Sequence, residues 1–295
     1  MNLANTIVVG MDGSEPARIA AQWAATWAGE RDLTLVLLAA HGTIGAERRS
    51  TEAAWHWPDA AERKQQVEIV LDKAVAELRE HHPDLTIETA IVTADPVAAL
   101  LRASREAALV VIGTRRLGGL TGKLFGSVAD PTIARAEGPI AVVPPAYTFE
   151  PGPIVLGFDL SEPPMAAARF AFDAAALSGR SLTVATVEDP ARPLELIAAA
   201  DPAVQGIGGD VDARERQVRR VLAELIMEYA EVALEIVIVP GGTANALLEA
   251  GAHATLLVVG TRGRSDLRGL LFGSISRAVL RQTTSPAVVV PEPGH

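Results

Sequence analysis

Val9-Gly10-Met11-Asp12-Gly13-Ser14 closes a short apolar run near the start of the chain and returns as Leu156-Gly157-Phe158-Asp159-Leu160-Ser161, a separation of 159 − 12 = 147 residues. The same separation carries Gly113-Thr114-Arg115 onto Gly260-Thr261-Arg262, Phe125-Gly126-Ser127 onto Phe272-Gly273-Ser274, and Pro139 onto Pro286. One offset held across so many motifs marks a duplicated unit. Near Leu35 a local slip of two residues is expected, because Leu33-Thr34 matches Leu182-Thr183 better than the constant offset does. At 295 residues the chain has the length for two domains of about 100–150 residues each. They are set at residues 1–147 and 148–295, with Pro/Gly punctuation over 147–153 between them.

Residues 6–9, 33–40, 86–92, 109–112 and 140–143 are short apolar runs, several rich in β-branched side chains, as in strands buried on both faces. Helices are expected between them. Ser14 reads as an N-cap with Glu15 and Pro16 in the first turn, opening an Ala-rich helix with Ala17, Ala20, Ala21, Ala24, Trp27 and Ala28 on one stripe. Ser161-Glu162-Pro163 is expected to repeat that opening, and further helices are expected at 62–81, 96–106 and 127 to about 136. The alternation predicts an α/β fold: two Rossmann-like, doubly wound domains, each with about five parallel strands covered by helices on both faces. Ligands of such sheets sit beyond the carboxyl ends of the strands, at the point where the strand order reverses.

The net charge of −10 and pI near 5.1 repel phosphate backbones and anionic lipid heads, which excludes nucleic acid and membrane surfaces as expected partners. A nucleotide must then be held by local donors, chiefly backbone N–H groups. No Cys is present, so disulfides and thiolate chemistry are absent. No secretory or membrane-spanning pattern is read in the sequence, and a cytoplasmic location is expected.

After the apolar run 256–259 come Gly260-Thr261-Arg262-Gly263, nine residues, and Gly273-Ser274. Gly263 lets backbone approach a ligand without a Cβ, and Gly273-Ser274 opens a helix whose free N–H groups and dipole favour an anion. This Gly-x2-Gly-x9-Gly-Ser spacing, behind a Val-rich strand in a chain whose first strand ends in Asp, resembles the ATP-binding signature of the universal stress protein family. The resemblance covers nearly the whole chain as two copies. It implies that Asp12 and Asp159 lie near adenine and ribose, and that Leu38 and Val187 touch adenine through backbone. It further implies that Gly260, Gly263, Gly273 and Ser274 hold ribose and phosphates in the second copy, and that Gly113, Gly126 and Ser127 do so in the first; Arg115 and Arg262, read from the sequence alone, suit either a reach to phosphate or a solvated loop cation. ATP with Mg or Mn bound through its phosphates, a homodimer, and a regulatory role in stress or growth arrest exerted through a protein partner are what the resemblance implies for function.

Each copy departs from the pattern at a different place. Arg116 stands where the second motif glycine belongs, and its guanidinium either obstructs the ligand or clasps a phosphate. Leu160 replaces Gly13, and Gly242-Thr243 replaces Asp95-Pro96. On these grounds the second phosphate loop ranks as the intact one. Asp12 and Asp159 equally suit turn-capping carboxylates. The segments 42–65 and 188–210 suit either lids or irregular packing. Gly122-Lys123 fails the Walker pattern, no dinucleotide fingerprint follows the first strand, and the six His show no metal-ligand spacing. The alternative to a regulator is a slow ATPase or a nucleotidyl or phosphoryl transferase on the same loop, and it lacks a visible general base.

Overall fold

The computed structural model describes residues 3–40, 60–114, 127–145, 147–148, 151–160, 163–188, 211–240, 243–261 and 274–292. Its contacts divide into two units, Met1–Pro145 and Ala146–His295. In the first unit the order is β1 (Thr6–Gly10), α1 (Glu15–Gly29), β2 (Thr34–Ala40), α2 (Ala60–His81), β3 (Ile87–Val92), α3 (Pro96–Ser104), β4 (Leu109–Gly113), α4 (Ala129–Ile133) and β5 (Ile140–Val143). In the second it is β6 (Ile154–Phe158), α5 (Met165–Ser178), β7 (Leu182–Glu188), α6 (Val211–Val221), α7 (Ala223–Glu228), β8 (Leu234–Pro240), α8 (Thr243–Ala250), β9 (Leu256–Gly260), α9 (Ser274–Gln282) and β10 (Ala287–Val290).

Each unit is a Rossmann-like α/β domain with a five-stranded parallel sheet flanked by helices on both faces. The strand orders are β3-β2-β1-β4-β5 and β8-β7-β6-β9-β10. The central strands read as unbroken apolar runs because both faces are covered: Ile7, Leu35, Leu37, Leu109, Ile140, Ile154, Leu156, Leu182 and Leu256 are fully buried. Each such side chain contributes about 1.5–3 kcal/mol. Ala20, Ala24, Ala25 and Ala28 of α1 are also fully buried, so small residues bring that helix close to the sheet. One helical turn apart on α1, Trp23 and Trp27 stack with ring centroids 5.2 Å apart, and Arg31 lies 3.5 Å over Trp27.

Every strand pairing of the first unit recurs in the second 147 residues later. Ile7↔Leu35 becomes Ile154↔Leu182, Leu35↔Ile87 becomes Leu182↔Leu234, Ile7↔Leu109 becomes Ile154↔Leu256, and Val110↔Ile140 becomes Leu257↔Ala287. The two-residue slip expected near Leu35 is therefore absent. A shift of two keeps each side chain on its face of the sheet, so hydrophobic matching cannot detect it; only the ladder fixes the register.

The helix openings differ between the copies. Ser14 caps α1, its hydroxyl accepting from the Ala17 N–H at 3.4 Å, and Gly13 turns into the cap with φ of 76°. Ser161 and Glu162, where this opening is expected to repeat, lie outside the described residues; α5 itself starts at Met165, behind Pro164 and without a side-chain cap. Leu160, in the place of Gly13, does not adopt the left-handed conformation, and Pro163-Pro164 disfavour helix at the residue before each ring. The helix expected over 127 to about 136 is also shorter, confined to Ala129–Ile133. Among the described residues no helix is long and apolar enough to cross a membrane.

Behind α1 the chain reverses through Asp32 at φ 51°, where the second copy has Gly179 at φ 63°. An L-residue there carries roughly 1–2 kcal/mol of steric cost, partly offset by glycine's larger loss of freedom on folding. Asp32→Gly is expected to stabilise the first unit by about 0.5–1 kcal/mol, read as a higher urea midpoint. A lowered midpoint would show that the aspartate earns its place through contacts.

Candidate functional site

The chain leaves β1 toward β2 and β3 on one side and later returns to β4 and β5 on the other, so the strand order reverses at β1. Alternate residues of a parallel strand direct both their N–H and C=O to the same neighbour. The Leu38 carbonyl accepts from the Met11 N–H at 2.8 Å, so Ala40, two residues on, faces the same way, past the last β1–β2 pair at Gly10↔Leu38. On the other side Val110 and Thr114 bond toward β5, so Gly113 directs its N–H and C=O toward β1, past the last pair at Val9↔Val111. Two sets of main-chain groups thus converge beyond the end of β1.

A cavity of about 220 Å³ opens there. Met11, Leu38, Leu100 and Ile112 supply apolar wall, and Gly10, Asp12, Ser14, Ala40, Gly113 and Ser127 supply the rest of its polar and main-chain rim. Mostly apolar walls with a few convergent polar groups suit a flat heteroaromatic body. Among the described residues Asp12 is the one ionisable residue on this lining. Its Oδ1 accepts from the Ser14 N–H at 2.9 Å, a turn-capping role that leaves the exposed carboxylate at the rim. Next to it Arg18 Nε donates to Glu15 at 2.8 Å, which holds the Glu15 carboxyl below its usual range.

Gly113 has a packing role as well. A Cβ there would stand 2.1 Å from the Pro16 carbonyl oxygen and 2.8 Å from the Ala17 nitrogen. The first turn of α1 therefore sits directly on the end of β4, which brings Ser14 and Ala17 to the cavity. Gly260 plays the same part in the second unit, where a Cβ would meet Pro164 Cβ at 2.4 Å.

Of the residues expected from sequence, Asp12, Leu38, Gly113 and Ser127 line this one cavity. Gly126, Arg262, Gly263 and Gly273 lie outside the described residues, as does Arg116. Asp159 is exposed at the end of β6, Gly260 ends β9, and Ser274 begins α9. With the register constant, Leu38 corresponds to Ala185, and Val187 to Ala40. Leu38 and Val187 are therefore not equivalent, and Ala40 is the residue that sequence reading missed. Its signal lies in the register, which sets it past the last β1–β2 pair, rather than in residue type. Pro96, Leu100, Val128 and Ala129 on the same lining were also missed. Asp95 caps α3, accepting from the Ala98 N–H at 3.0 Å, and so sets Pro96 and Leu100 at the rim. Among the described residues no cluster of three His, Asp or Glu could hold a metal.

The sequence profile described as the universal stress protein family matches residues 4–144 and again 151–291. A universal stress protein of Mycobacterium tuberculosis is 31% identical over 299 residues, covering 96% of this chain and 94% of that protein. A second from the same organism is 30% identical, covering 96% of each. The crystal structure of a universal stress protein from Archaeoglobus fulgidus superposes with a TM-score of 0.69 at 18% identity, covering 98% of both chains, a likeness of fold. With two matched copies filling nearly its whole length, the chain is a tandem-duplicated member of the universal stress protein family.

Proposed function

We propose that the chain is an ATP-binding regulator whose nucleotide occupancy is passed to a protein partner in a stress or growth-arrest response. The observation that carries this reading is the convergence of the Ala40 and Gly113 main-chain groups on an apolar slot at the strand-order reversal. Adenine's edge matches outward-facing N–H and C=O groups, and its faces match Met11, Leu38 and Ile112. Ribose then falls toward Asp12, and the phosphates toward Ser127 and Gly126. In the second copy Asp159, Val187, Gly260, Arg262, Gly263, Gly273 and Ser274 hold the matching positions of the family signature. Mg or Mn would arrive on the phosphates, since a triphosphate carries its own metal-binding oxygens. A cytoplasmic homodimer is the form in which we propose that it acts.

Regulation is favoured over turnover because Asp12, among the described residues the only ionisable group on the lining, is engaged by the Ser14 amide at the ribose end, far from a γ-phosphate. Hydrolysis needs a base within reach of the attacking water. Calorimetric titration of the full chain with MgATP tests the reading: binding is expected, and Asp12→Ala is expected to weaken it about tenfold, roughly 1.4 kcal/mol. Absence of heat and of nucleotide protection in the unaltered chain would remove it.

A further inference from the structure

We propose that the open edge of β8 pairs antiparallel with β8 of a second copy of this chain, about a twofold axis at Ile236. The inference rests on the homodimeric part of the reading above and gives that dimer a surface in the second unit.

Main-chain direction decides which groups of β8 are open. The Leu182 N–H donates to the Ala233 carbonyl, so Ala233, Glu235, Val237 and Val239 face β7. Leu234, Ile236 and Ile238 direct their N–H and C=O groups the other way, and among the described residues no strand lies beyond β8. The strand is apolar on both faces: Leu234, Ile236, Val237, Ile238 and Val239 are each only partly buried, although α6 and α8 pack on it. An apolar edge of this kind attracts another strand unless charge, proline or a bulge guards it. Within β8 the one charge is Glu235, and the proline stands at the far end, at 240.

The duplication supplies a comparison. β3, the matching edge strand of the first unit, carries Thr89 and Ala90 where β8 carries Ile236 and Val237. Thr89 is outward-directed as well, because the Leu35 N–H donates to the Thr86 carbonyl and fixes the same alternation. The middle of the open edge is thus polar and exposed in one copy, and β-branched and apolar in the other.

A second copy is the occupant that the register fits. With the axis at Ile236, that residue meets itself and Leu234 meets Ile238 as hydrogen-bonded pairs, so the open N–H and C=O groups from 234 to 238 all find complements. Leu234, Ile236 and Ile238 of both chains then form one apolar row. On the opposite face Glu235 lies across from Val237, so no carboxylate meets a carboxylate although each chain carries a net charge of −10. Pro240, at the next outward position, has no N–H and ends the ladder.

The chain contains no Cys, so a single introduced thiol can link only to its counterpart in another chain. Hydrogen-bonded antiparallel pairs hold Cα atoms about 5.5 Å apart, within the roughly 4.4–6.8 Å that a disulfide spans. Mild oxidation of the full-length Ile236→Cys variant is expected to link most chains into dimers, and the same treatment of Thr89→Cys to leave them single. Sedimentation equilibrium is expected to show a dimer of the unaltered chain. Ile236→Lys, which sets two cations face to face at the axis, is expected to raise its dissociation constant at least tenfold at an unchanged melting temperature. A dimer whose Ile236→Cys thiols link no faster than those of Thr89→Cys overturns the inference and leaves the homodimer on some other surface. An unaltered dissociation constant in folded Ile236→Lys does the same. Monomers alone in sedimentation remove the inference and the homodimer together, while MgATP titration of the same sample reads the nucleotide site separately.

Discussion

Gly113→Ala is expected to destabilise the first unit by about 3 kcal/mol and to abolish nucleotide binding there. The added Cβ would lie 2.1 Å from the Pro16 oxygen and 2.4 Å from the Pro16 carbon, both backbone atoms that cannot rotate aside. Relief requires the first turn of α1 to lift from β4, taking Ser14 and Ala17 with it, although both line the cavity. The helix is otherwise fixed by fully buried Ala20, Ala24, Ala25 and Ala28, so the strain has few ways to relax. Urea unfolding followed by the indoles of Trp23 and Trp27 reads this unit. A midpoint matching the unaltered chain would show that α1 is less tightly seated than its contacts indicate.

Ala40→Trp is expected to weaken ATP binding roughly a hundredfold, about 2.8 kcal/mol, with little change in melting temperature. Ala40 ends β2 at the rim of the cavity and is only partly buried, so a larger side chain need not enter the core. It would fill the slot in which Leu38, Met11 and Ile112 form the walls. Displacement of a fluorescent ATP analogue measures the loss. Retained affinity would place the base elsewhere and remove Ala40 from the site.

The parallel sheets were legible in the sequence because burial on both faces leaves uninterrupted apolar runs such as 109–112 and 140–143, with helices punctuated by Pro and Asp between them. The strand-end residues Asp12 and Gly113 were legible for a related reason, since they stand where those runs stop. Three features were hidden. Leu38 and Ala40 share one strand parity and both line the cavity, but the Leu38 carbonyl is taken by the Met11 N–H, and only the ladder shows that Ala40 lies past the last pair with β1. The opening of α5 was misread because Ser161-Glu162-Pro163 imitates Ser14-Glu15-Pro16, while the decisive differences are Leu160 in place of a left-handed glycine and a second proline at 164. The supposed slip near Leu35 rested on local similarity of Leu33-Thr34 with Leu182-Thr183, which a shift by an even number cannot betray through burial.

The constant spacing of the paired strands has a genealogical meaning. Between the first strand of one copy and the last strand of the other, divergence has proceeded without a net gain or loss of a residue from strand to strand, even across the long connections that follow β2 and β7. Drift by replacement alone leaves each position with an unambiguous sibling in the same polypeptide. A swap between siblings is therefore a complete experiment, with the donor residue and its tolerated surroundings already supplied by the other half.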